Sequence, residues 1–210
     1  MPLDRIITVN ASTQVFIWKI AEDFDSLIQG IELLETTRQR LLGMKSVSHQ
    51  CGFLSIRHLL KAAGYSDSDL QYDENGKPHL VDGKHISITH SFTYAALIIS
   101  DHNVGIDIEM MREKIIRIAD KFTNEQEQMF AVANPIGEKV KQLTVIWGAK
   151  EAMYKMCNSR SLSFKSHMHV FPFNLDAQEG HCQVISDEFS HDFTFYFLVI
   201  ENFVLVYTSL

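Results

Sequence analysis

The chain has 210 residues, 46% of them hydrophobic and 21% charged, and a formal net charge of −7. That length can bury a substantial core as one or two compact units, and the acidic balance argues against a general nucleic-acid binder, which is usually basic. No stretch approaches the roughly 18 uninterrupted apolar residues of a membrane span, and the opening MPLDRIITVN lacks the apolar centre of a signal peptide.

Alternating apolar and polar residues predict strands at 5–9 and 13–20, the second with Val15 and Ile17 inward. The spacing of Phe24, Leu27, Ile28, Ile31 and Leu34 then predicts helix over 22–42, with its breaks left open by Gly30 and Gly43. A further helix is expected over 46–63, with Phe53, Leu54, Ile56, Leu59 and Leu60 inward and Gly64 as its stop. Asn75-Gly76 and Asp82-Gly83 are turn signals, and three strands follow at 86–90, 94–100 and 105–109. Helical spacing returns at 114–121, at 124–132 and over 135–156, where Pro135 suits a first turn. Strands at 168–171, 183–185, 193–200 and 203–208 complete the chain, with Glu201-Asn202 as a hairpin turn. The order is strand–helices–strands, then helices–strands, which reads as an α+β protein of two halves, 1–104 and 105–210. Cys51, Cys157 and Cys182 are too few and too scattered for a disulfide framework or a CxxC metal site, and free thiols suit a reducing cytoplasm.

Two short stretches carry the chemistry. In Gly105-Ile106-Asp107-Ile108-Glu109, a strand period of two sets both carboxylates on one face, where they could hold a hard cation such as magnesium. An ordinary half-exposed strand alternates in the same way. About forty residues on comes Trp147-Gly148-Ala149-Lys150-Glu151-Ala152-Met153-Tyr154-Lys155, in which Glu151 and Lys155 share a helix face. A surface ion pair would explain these two alone. The apolar neighbours Trp147, Ala149, Ala152 and Met153 instead suggest a helix largely buried, with Glu151 and Lys155 facing a cleft.

The combination G-x-D-x-E followed by W-x-x-K-E-x-x-x-K resembles the 4′-phosphopantetheinyl transferases. Gly76-Lys77-Pro78, Ile88-Thr89-His90-Ser91 and Phe122 with the glutamates behind it extend the resemblance over residues 72–164. Length and two apparent halves are similar to the Sfp-type class. That resemblance implies two similar α/β halves in pseudo-twofold arrangement, each a small antiparallel sheet packed with helices, and a monomer. It also implies transfer of phosphopantetheine from coenzyme A to a serine of an apo acyl or peptidyl carrier protein, with release of adenosine 3′,5′-bisphosphate.

Under the same resemblance Asp107, Glu109 and Glu151 are the ligands of magnesium, with manganese as an alternative, and Lys155 contacts the pyrophosphate. His90 and Thr89 fall at the coenzyme A phosphates, and Lys77 at the nucleotide 3′-phosphate. Arg57 matches an arginine of the family pattern S-x-R-x-L-L, yet the residues before it lack the usual basic run, and it could instead tie its helix to an internal carboxylate. Glu127 is the candidate base for the carrier serine. Glu125 or water could take that role, and Asn124 with Glu127 also has the spacing of a capping box. Arg112, Lys114, Arg117 and Lys121, interleaved with Ile115, Ile116 and Ile118, form a candidate docking strip for an acidic carrier, with a solvated helix face as the plain alternative. Two other classes remain. A metal-dependent phosphohydrolase acting on coenzyme A or a related nucleotide would need no protein acceptor, and a non-catalytic coenzyme A-binding protein would need no set of three carboxylates.

Overall fold

The computed structural model describes residues 3–132, 135–159, 161–186 and 190–209. The chain divides into two units, Met1–His102 and Asn103–Leu210, two residues ahead of the boundary expected from sequence.

In the first unit, β1 (Leu3–Asn10) and β2 (Thr13–Lys19) form a hairpin. Helices α1 (Phe24–Ile28), α2 (Glu35–Leu42) and α3 (Val47–Ala62) follow, then β3 (Leu70–Tyr72), β4 (Pro78–Leu80), β5 (His85–Ser91) and β6 (Tyr94–Ser100). All pairings are antiparallel, in the order β1-β2-β6-β5-β4-β3. Apolar residues of α3, with Leu54, Leu59 and Leu60 fully buried, join Phe16, Trp18, Ile86 and Leu97 of the sheet in one core. Gly64, with φ +88°, ends α3 as its position suggests, and the turns at Gly76 and Gly83 both use φ +86°.

The helical spacing over 22–42, whose breaks the sequence left open, forms two short helices separated after Gly30. Gly30 turns the backbone at φ +76° after α1, and the backbone N–H of Leu34 donates to Asp67 Oδ2 at 3.0 Å. A partner outside the helix for that amide, together with a left-handed glycine, outweighs an apolar spacing that continues through the break. The strands β3 and β4, three residues each, are too short to show an alternation and were not legible in the sequence.

The second unit opens with β7 (Val104–Met110), followed by α4 (Lys114–Phe122), α5 (Glu125–Val132) and α6 (Ile136–Cys157). β8 (Met168–Val170), β9 (Glu179–Ile185), β10 (Ser190–Ile200) and β11 (Phe203–Ser209) complete an antiparallel sheet of order β7-β11-β10-β9-β8. Leu143, Ile146, Ala149 and Met153 of α6 pack with Phe195, Phe197, Val204 and Val206 of the sheet. Both units are antiparallel sheets carrying helices, so the α+β class read from the sequence is the class observed. Among the described residues no helix is long and apolar enough to cross a membrane.

Candidate active site

Residue Asp107 sits in the middle of β7, opposite Val206 of β11, on the strand face shared with Gly105 and Glu109. That face meets α6, and its glycines make the approach close. A Cβ placed on Gly105 would run into the carbonyl of Ala152, and one on Gly148 would meet Val206 Cγ2 at 2.7 Å. The same Gly148 position lies 3.8 Å from Asp107 Oδ2, so the Asp107 carboxylate is seated beside α6 one turn before Glu151. A Gly105→Ala exchange should therefore cost about 1–3 kcal/mol of stability, because relief needs backbone movement; urea unfolding measures it.

The Lys155 ammonium bridges back to β7, donating to Asp107 Oδ1 and to the Ile106 carbonyl, each at 2.8 Å. Asp107 is buried and Lys155 half-buried, which makes this ion pair stronger than a solvated one. The carboxyl of Glu151 is pushed up to about 7, first by burial and then by the negative charge of Asp107, with a smaller push from Glu109 and an opposing pull from Lys155. Four charged groups from β7 and α6 thus act on one another in a partly desolvated place. Among the described residues no three His, Cys, Asp or Glu side chains are gathered into one coordination shell. The donor chemistry itself, Asp107 and Glu109 close enough to raise the Glu151 carboxyl, suits a hard oxygen-seeking cation.

Glu127 is 2% exposed, and its carboxylate is fully engaged. Oε2 accepts the Asn124 N–H at 2.9 Å and the Lys150 ammonium at 2.7 Å, while Oε1 accepts the Val170 N–H at 2.8 Å. The Glu127 N–H donates in return to Asn124 Oδ1 at 2.9 Å, which closes the capping box at the start of α5. Lys150 gives its other two N–H groups to the carbonyls of Phe122 (2.7 Å) and Phe164 (2.8 Å). Burial pulls the Lys150 pKa down and the Glu127 charge opposes it. Three acceptors for three ammonium protons favour the charged pair. Of the two roles open to Glu127, the geometry supplies the structural one. The sequence contained a signal for Lys150 that its charge obscured: Ile146, Lys150 and Met153 are spaced as one buried helical stripe.

The first unit carries the remaining candidates. Arg57 is 4% exposed; its Nε donates to Asp67 Oδ1 at 3.1 Å and its guanidinium lies 3.7 Å from the centre of the Phe53 ring. It makes the tie to an internal carboxylate that the sequence left open beside the phosphate role. Removing it as Arg57→Met should lower stability by about 3–5 kcal/mol, since Asp67 stays buried without its cation; denaturant unfolding with Asp67→Asn alongside checks this. Thr89 and His90 are neighbours on β5, so they point to opposite faces. Thr89 is buried, whereas His90 is exposed and lies against α3. Lys77 is half-buried in the β3–β4 hairpin, its N–H donating to Asp73 Oδ1 at 2.9 Å.

A family model for the 4′-phosphopantetheinyl transferase superfamily matches residues 103–208, half of the chain. The chain belongs to that superfamily. The match includes Asp107, Glu109, Glu151 and Lys155, so the acidic cluster lies within the superfamily region. The transferase gsp of Aneurinibacillus migulanus is 32% identical over 107 residues, covering 50% of this chain and 45% of the relative. The transferase psf-1 of Bacillus pumilus is 26% identical over 121 residues, 57% of this chain and 49% of its own. A 4′-phosphopantetheinyl transferase of Bacillus subtilis is 26% identical over 133 residues, 58% of each chain. The chain thus matches about half the length of these curated relatives.

Proposed function

We propose that the chain transfers the 4′-phosphopantetheine group of coenzyme A to a serine of an apo carrier protein, with Asp107, Glu109 and Glu151 holding magnesium or manganese. The observation that carries this reading is the acidic cluster of β7 and α6 with Lys155 bonded into it, inside the region that matches the superfamily. When bound, the metal supplies charge neutralisation at the pyrophosphate. Phosphoryl transfer asks chiefly for positioning and electrostatic stabilisation, and the chain's own cations serve that need. Lys155, half-buried and held on Asp107, offers an ammonium beside the carboxylates. His90 and Lys77 of the first unit are the candidate groups for the coenzyme A phosphates. Glu127 holds α5, α6 and β8 together, and the carrier hydroxyl gives its proton elsewhere, to water or to exposed Glu125.

The carrier partner is assigned to α4. Ile115, Ile116 and Ile118 pack against the core, and Lys114, Arg117 and Lys121 are exposed. A cavity of about 210 Å³ lined by Glu109, Arg112, Lys114, Ile115 and Trp147 joins this strip to the acidic cluster. An acidic carrier helix complements that surface despite the protein's overall negative charge. Charge reversal as Arg117→Glu with Lys121→Glu should raise the KM for carrier about tenfold and leave coenzyme A affinity unchanged; steady-state kinetics against both substrates tests this, and an unchanged carrier KM removes the assignment. Three free cysteines support action in the cytoplasm, and a monomer is the proposed working state.

Mass spectrometry of an apo carrier incubated with coenzyme A, magnesium and this protein tests the reaction. Addition of one phosphopantetheine to the carrier, lost in Asp107→Ala, is expected. No addition across acyl and peptidyl carriers would contradict it.

A further inference from the structure

We propose that α3 is built to hold the His90 imidazole in place, with Gly52 as the surface on which the ring rests and His49 as its edge contact. This rests on the reading of His90 as a coenzyme A phosphate ligand and adds the residues that position it. Gly52 lies buried near the middle of α3, where glycine is about 1 kcal/mol less favourable than alanine. Its backbone gives no reason for a glycine, because Gly30, Gly64, Gly76 and Gly83 are the glycines with positive φ among the described residues. The reason lies in space. A Cβ on Gly52 would stand 2.6 Å from His90 Nδ1 and 2.7 Å from Cγ. One turn earlier, the His49 ring meets the His90 ring with centroids 5.8 Å apart and planes at 64°.

The imidazole is therefore bounded on one side by bare helix backbone and at another by a second ring, while His90 as a whole remains exposed. A ring limited to few orientations has less freedom to lose when an anion binds. Gly52 also differs from Gly105 in what it faces. An alanine at 105 would press on backbone, whereas one at 52 would press on a side chain that can swing away. Gly52→Ala should thus leave α3 intact and displace the ring, which separates positioning from folding.

The test compares Gly52→Ala, His90→Ala and the double variant in the full chain. Calorimetric Kd for coenzyme A, thermal unfolding, and the imidazole resonances of ¹⁵N-histidine-labelled protein are measured for each. Gly52→Ala should keep or raise Tm, shift the His90 ring resonances, and weaken coenzyme A binding about tenfold, matching His90→Ala. The double variant should be no weaker than His90→Ala, because both changes act through one group. Parent affinity in Gly52→Ala beside a weakened His90→Ala would overturn the proposal. So would a lowered Tm with unchanged Kd, which marks a purely structural glycine, or a full additional loss in the double variant. Unaltered affinity in His90→Ala would remove the phosphate-ligand reading itself; unmoved ring resonances in Gly52→Ala would separately remove the packing claim.

Discussion

Replacing Lys150 with methionine is expected to lower the unfolding free energy by about 3–5 kcal/mol, the usual cost of stranding one partner of a buried ion pair. Both side chains are at most 1% exposed, and the lysine also satisfies two backbone carbonyls from different segments. The loss would be felt at the end of α4, the start of α5, the centre of α6 and β8 together. Combining it with Glu127→Gln should recover part of the loss, because the uncompensated charge is then removed as well. Equilibrium unfolding in urea reads both numbers, and a loss below about 1 kcal/mol in Lys150→Met would contradict the hub. The single exchange Glu127→Gln also separates structure from chemistry. Its folded fraction should turn over within a few-fold of the parent; a loss of about a hundredfold or more in folded molecules would restore the base role.

Glu151→Gln is expected to behave oppositely, gaining stability while losing transfer. The native carboxyl titrates near 7 instead of its ordinary 4.5, so between those values the folded state keeps a proton that the unfolded state has released. Stability contributed by this group is fully present below pH 4.5 and is lost as pH rises through 7. At pH 8 in the presence of a chelator, the glutamine variant should be about 1–3 kcal/mol more stable than the parent after allowance for solvent screening. That advantage should vanish near pH 4. Transfer should fall about a hundredfold or more, since the variant lacks one carboxylate of the cluster. Equal stability of parent and variant across the whole range would show that Glu151 is not under this electrostatic pressure. Such a strain is common where function, not folding, selects the residue.

Much of this was legible beforehand because the deciding signals are local. Phe53, Leu54, Ile56, Leu59 and Leu60 of α3 are all buried as their spacing requires, and the turn glycines at 64, 76 and 83 adopt positive φ. Gly105, Asp107 and Glu109 share the strand face that meets α6, where the pairing of motifs had placed the acidic groups. What escaped depends on partners distant in sequence. Asp67 takes both the amide of Leu34 and the guanidinium of Arg57, and so ties the start of α2 and a predicted phosphate ligand to one buried carboxylate. Lys150 finds carbonyls 28 and 14 residues away, which helical spacing alone cannot supply. Thr89 came with His90 from the resemblance, and the strand turns these two neighbours to opposite sides, Thr89 buried and His90 exposed.

The central claim is most directly tested by measuring adenosine 3′,5′-bisphosphate release from coenzyme A by chromatography, with magnesium and with or without apo carrier protein. Release that requires the carrier, equals the carrier modified mole for mole, and disappears in Lys155→Met is the expected result. Release at the same rate without carrier would show a hydrolase built on the same carboxylates and contradict the transferase reading.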